Sequence, residues 1–195
     1  MELISNILYW ISTGLLVPVI VILIFLFLRA LVLVGTFFGQ YLAIRKGAAQ
    51  VRKALTGVTR ENAEAVLDQL PKRDDLLVVR YVRLIVAARD SQAEVQRLMS
   101  EFEIAADQDL STSRVLSKLG PMLGLMGTLI PMGPALAGLA TGDIESMARN
   151  MQVAFATTVT GLVAAAIGYV TQQVKQRWYL QDMANLEYLS DVLKQ

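Results

Sequence analysis

The sequence predicts an all-α membrane protein. It would have three transmembrane helices, a helical cytoplasmic domain between the first and second, and a cytoplasmic C-terminal helix. Three observations carry this. Residues Leu15–Phe38 hold a single charge, Arg29, and Leu119–Ala140 and Val153–Val174 hold none; each stretch is long enough for a bilayer, which needs about 20 apolar residues. The 195-residue chain has a mean hydropathy of +0.48. That average hides segregation, because 13 of the 18 Lys and Arg residues fall between positions 40 and 118.

Residues 1–8 form a short extracytoplasmic N-terminus, and 9–38 form the first transmembrane helix. A cleaved signal peptide is a poor reading: no basic segment precedes the apolar run, the run is too long, and no small-residue cleavage site follows it. Tyr9 and Trp10 mark one membrane interface. Arg29 lies near the other end, where its stem can snorkel to the headgroups or its charge can face the interior of an assembly.

Residues 39–118 form the cytoplasmic helical segment. Gln40–Leu55 continues the first membrane helix. Thr59 suits an N-cap, with Glu61 and Glu64 placed for the helix dipole. Pro71 stops that helix, and PKRDD makes a turn. A helix over Asp75–Asp109 follows, with Leu77, Tyr81, Leu84, Ala88, Val95, Leu98, Phe102 and Ala105 forming an apolar stripe for packing.

Residues 119–140 form the second transmembrane helix, 141–152 an extracytoplasmic turn, 153–174 the third transmembrane helix, and 175–195 an amphipathic C-terminal helix that offers Trp178, Leu186 and Leu189 to one face. Charge orients the whole. Arg45, Lys46, Arg52 and Lys53 follow the first span, Arg114 and Lys118 precede the second, and Lys175 and Arg177 follow the third, all on one side. Lys and Arg near span ends collect in the cytoplasm, so the N-terminus is outside and the C-terminus is cytoplasmic, in a prokaryotic inner membrane.

The last two spans, LGPMLGLMGTLIPMGPALAGLA and VAFATTVTGLVAAAIGYVTQQV, differ from simple anchors. Gly124, Gly127, Gly161 and Gly168 permit close helix packing, within the hairpin or between copies. Pro121 begins the second span, where a missing N–H costs little. Pro131 and Pro134 lie inside it and kink it, as a tolerated bend or as one that shapes a pore. Thr128, Thr157, Thr158 and Thr160 either bond back to their own helix carbonyls or line a polar path. An ion relay through a membrane needs an ionisable group. No Asp or Glu lies within any span, so such a group must come from another chain.

Other chemistry is narrowed by composition. The formal net charge of +1 points to no nucleic acid, and the absence of Cys and His removes disulfides, thiolate metal sites and the usual hydrolytic triad. The chain is expected not to be an enzyme and to use no cofactor or metal.

GPMLGLMGTLIPM and AFATTVTGLVAAAIGYV resemble the MotA/TolQ/ExbB proton-channel family. The shared features are Gly-Leu-x-Gly-Thr in the second helix and Ala-x-x-x-Thr-x-x-Gly-Leu in the third, here Ala154, Thr158, Gly161 and Leu162. The match covers roughly residues 118–172, and the layout is similar to the ExbB and TolQ branch. The resemblance implies a pentamer in the bilayer around two copies of an ExbD/TolR/MotB-like partner, whose single span supplies an aspartate. Ion flow past that aspartate would drive mechanical work. The family's threonines facing it map to Thr128 and Thr158. Where ExbB and TolQ carry a glutamate before the third-helix threonine, this chain has Val153 beside Gln152. Thr157 and Thr160 are additional, which leaves Na+ open beside H+. A non-conducting membrane scaffold or assembly subunit is the alternative.

Overall fold

The computed structural model describes residues 2–55, 58–59, 62–63, 67, 70 and 76–194. The described chain is helical: α1 spans Glu2–Leu55, α2 Leu77–Ala87, α3 Gln92–Ala140 and α4 Ile144–Lys194. Three of these helices, α1, α3 and α4, are long and apolar enough to cross a membrane. The expected helix start at Thr59 has a reciprocal cap: the Asn62 N–H donates to Thr59 Oγ1 and the Thr59 N–H donates to Asn62 Oδ1 at 2.7 Å. Glu61, Glu64, Pro71 and the PKRDD turn lie outside the described residues.

Three boundaries differ from the sequence expectation. The helix expected over Asp75–Asp109 is interrupted after Ala87, where turn bonds run from Arg89 N–H to Val86 O and from Ser91 N–H to Ala88 O. Ser91-Gln92-Ala93-Glu94 has the S-x-x-E pattern of a helix start, and it restarts the chain as α3. Of the expected stripe, Leu84 is exposed, while Tyr81, Val95, Leu98 and Phe102 are buried. Pro121 is no helix start, because α3 is already 29 residues old there. The turn expected over 141–152 shrinks to Thr141–Asp143, and α4 runs unbroken through the span and the expected C-terminal helix.

The chain divides into two compact units. The first holds residues 1–34 and 112–171. Here α1 buries Val19, Leu23, Leu26, Ala30 and Leu33, spaced by three or four as one helix face requires. Leu26, Ala30 and Leu33 pack on Leu116 and Ala164, with Leu123 and Ile167 beside them. Arg29 is exposed, its guanidinium 5.9 Å from the ring centre of Phe25.

The second unit holds residues 35–111 and 172–195. Its core gathers Val51 and Leu55 of α1, Val79, Val82 and Ile85 of α2, Phe102 of α3, and Leu186 and Leu189 of α4. Phe102 meets Tyr81 edge-on at 5.4 Å, and Trp178 stacks on Phe37 at 5.6 Å. Lys175 is buried and forms an ion pair with Asp109 Oδ2 at 2.8 Å. The same oxygen accepts a 2.6 Å hydrogen bond from the Tyr179 hydroxyl. Burial, and then the bond to Asp109, raise the Tyr179 pKa well above the usual phenol range, so this hydroxyl keeps its proton and stays a donor.

Candidate functional site

The α3–α4 hairpin of the first unit is closed by a compact turn. Gly142 adopts φ +78°, a left-handed conformation that costs glycine little. The Gly142 N–H donates to Leu139 O and the Asp143 N–H to Gly138 O at 2.8 Å, the paired bonds of a Schellman helix end. Asp143 then starts the next helix, its Oδ1 accepting from the Ser146 N–H at 3.0 Å. One residue therefore ends α3 and caps α4, which is why three residues suffice where twelve were expected.

Below the turn the helices meet backbone to backbone. A Cβ on Gly161 would stand 2.5 Å from the carbonyl oxygen of Gly120 and 3.0 Å from Gly124 Cα. A Cβ on Gly168 would stand 2.7 Å from Ser113 O, Leu116 Cβ and Ser117 N. Gly127 faces Thr157, whose Oγ1 lies 2.5 Å from the place of a Cβ. Pro131 is fully buried and Pro134 half-buried, both inside an unbroken α3. Having no N–H, they leave the carbonyls of Gly127 and Ile130 without the donor that a helix normally supplies.

All four threonine hydroxyls donate to carbonyls of their own helix. Thr128 donates to Leu125 O at 2.7 Å, Thr160 to Ala156 O at 2.8 Å and Thr158 to Ala154 O at 3.0 Å. Thr157 donates to Val153 O and Ala154 O, both at 3.0 Å. Thr158 also reaches Gly124 O across the seam at 3.4 Å. The positions differ more than the bonding does. Thr157 is 6 % exposed, packed in the seam, whereas Thr128, Thr158 and Thr160 are half-buried.

Helix geometry separates these three. At about 100° per residue, Thr128 stands about 140° around α3 from Leu123, and Thr158 stands about 180° around α4 from Ile167. Leu123 and Ile167 belong to the flank against which α1 packs. Thr160, four residues before Ala164 and seven before Ile167, shares the α1 side. Thr128 and Thr158 share the other flank, which α1 leaves uncovered. Gly127 next to Thr128 meets Thr157 next to Thr158, so the two hydroxyls lie within about one turn of each other along the hairpin.

Each hydroxyl has one proton and two lone pairs. With the proton tied back to the helix, what Thr128 and Thr158 present outward is acceptor capacity. Such a surface suits a water proton, a protonated carboxyl group or a cation, and it disfavours an anion. Val153, where a glutamate was expected from the resemblance, is half-buried, and Gln152 is exposed. Among the described residues no group of three or more acidic or other ligating side chains is placed to hold a metal.

A model of the MotA/TolQ/ExbB proton channel family matches residues 74–187. No curated protein and no solved structure gives a significant match.

Proposed function

Because the chain belongs to the MotA/TolQ/ExbB proton channel family, we propose that it is one wall of an ion path in an ion-driven membrane motor. The observation that carries this reading is the flank shared by Thr128 and Thr158. It is turned away from α1, it presents acceptor oxygens, and it belongs to a chain with no carboxylate in any span. A path so built needs a proton-carrying group from elsewhere. A partner with one membrane helix bearing an aspartate supplies it, encircled by several copies of this chain, five in our reading. Protonation of that aspartate lets it pass the threonine oxygens, and its movement is the mechanical output.

In this assignment Thr128 and Thr158 face the path, Thr160 is a secondary oxygen, and Thr157 is shared between the path and the seam against Gly127. The ion is H+, with Na+ the competing choice, because cation coordination by hydroxyl and freed carbonyl oxygens is also open here. The chain sits in the inner membrane with its N-terminus outside. Residues 39–118 and 175–195 are cytoplasmic, and the turn after Ala140 faces out. No catalysed reaction is assigned to it.

A scaffold reading has one observation in its favour: the protons of Thr128, Thr157, Thr158 and Thr160 are already satisfied within their own helices. The test is the pair Thr128→Val and Thr158→Val in the intact complex. Loss of ion-driven work with retained assembly supports the path, and undiminished work with both substitutions in place removes it. Native mass measurement of the solubilised complex tests the copy number and the single-span partner.

A further inference from the structure

The second unit contains a cleft of about 600 Å³ that the motor reading does not use. Its apolar wall includes Gly39 and Ile44 of α1, Leu77 of α2 and Ala105 of α3. Gly39 lies within the last turns of the candidate span Asn6–Leu42, so the cleft opens where α1 leaves its apolar stretch. Two charged side chains of opposite sign, Arg80 and Asp182, also line it. Asp109 and Tyr179 line it too, but Lys175 already answers that carboxylate.

Arg80 and Asp182 form no ion pair with each other or with any other described residue. Arg80 is exposed, while Asp182 is half-buried. Burial pushes the Asp182 carboxyl up to about 6, because a low-dielectric site disfavours the charged form. A half-buried charge with no partner among the described residues is costly, whereas Lys175 and Asp109 of the same unit are paired at 2.8 Å.

We propose that this cleft binds an aminophospholipid headgroup, with its ammonium on Asp182, its phosphate on Arg80 and its glycerol and acyl stem along the apolar wall. A soluble zwitterion would use the two charges but would need neither the apolar wall nor a place at the end of a membrane span. An anionic lipid would use Arg80 and the wall but would leave Asp182 opposed. The assignment rests on the reading of α1 as membrane-spanning.

The experiment places the full chain, with whatever partners copurify, in nanodiscs of equal parts phosphatidylethanolamine, phosphatidylglycerol and phosphatidylcholine. Lipids retained after detergent exchange are then measured. Stable nanodisc insertion reports the membrane reading separately. Wild type is expected to retain phosphatidylethanolamine over both other lipids by about tenfold, the scale of one charge-assisted hydrogen bond. Asp182→Asn should remove the preference over phosphatidylglycerol, and Asp182→Glu should restore it. Arg80→Gln should lower both lipids together. Equal retention of the three lipids by inserted wild type overturns the proposal, as does an Asp182→Asn chain with an unchanged ethanolamine-to-glycerol ratio.

Discussion

Gly161 and Gly120 touch through their backbones: the space for a Cβ on Gly161 ends 2.5 Å from the Gly120 carbonyl oxygen. That contact sets the separation of α3 and α4, and through it the spacing of Thr128 and Thr158. Gly161→Val should therefore destabilise the hairpin by about 1–3 kcal/mol, the usual cost of overpacking. Gly14 of α1, followed by Leu15 and with no other part of the chain within 4 Å of the place of a Cβ, is the control. Gly14→Ala should be neutral or gain the roughly 1 kcal/mol of helix propensity. Unfolding of both variants in detergent, followed by circular dichroism, checks this.

The open flank makes a directional claim about the hydroxyls. Thr128→Val and Thr158→Val should each reduce ion-driven activity by about tenfold or more, one charge-assisted contact being worth roughly that. Thr128→Ser and Thr158→Ser, which keep the oxygen, should retain most of it. Thr160→Val, on the α1 side, should do less harm. Ion flux into vesicles, measured beside the mechanical readout, tells a blocked path from a lost coupling.

Lys175 and Asp109 pair at 2.8 Å with unequal burial, 3 % against 34 % side-chain exposure. Removing the carboxylate strands the more buried charge, so Asp109→Asn should cost about 3 kcal/mol, more than Lys175→Met, which leaves Asp109 accepting from Tyr179. The double variant should recover much of the loss. Chemical unfolding of the four chains gives the coupling directly.

Asp182 supplies a pH dependence of known sign. Its pKa rises from 3.8 to about 6 through burial, so the folded chain holds that proton more tightly than the unfolded one. The group lowers stability at high pH, and the penalty disappears as the pH falls from above 6 toward 4. Asp182→Asn should therefore raise Tm most at pH 8 and clearly less near pH 4.5. Arg80, Asp109 and Tyr179, which line the same cleft, are common to both chains and cancel in the difference. A constant gap across that range would show that Asp182 is not shifted.

The three spans, their glycine and threonine content and the missing carboxylate were legible in the amino-acid sequence, because bilayer thickness and the cost of charge in lipid leave a direct imprint on residue order. The family resemblance followed from Gly124, Leu125, Gly127 and Thr128, from Ala154, Thr158, Gly161 and Leu162, and from the order of the spans. Other features were written there and overlooked. Ser91-Gln92-Ala93-Glu94 marked the start of α3, and Thr141-Gly142-Asp143 held both the glycine and the cap that a three-residue turn requires.

Tertiary structure alone decided which threonine faces where. Four hydroxyls within an apolar setting look alike in sequence, and each makes the same local bond to its own helix. What separates them is the neighbour: Gly127 against Thr157, Gly124 beside Thr158, and α1 on the flank of Thr160 and opposite that of Thr128 and Thr158. The pairing of Lys175 with Asp109, 66 positions apart, was equally beyond reach. A lysine at a span end reads as a topology marker until a second helix brings a carboxylate to it. Periodicity and composition determine what each helix is, and contacts distant in sequence determine what each side chain does.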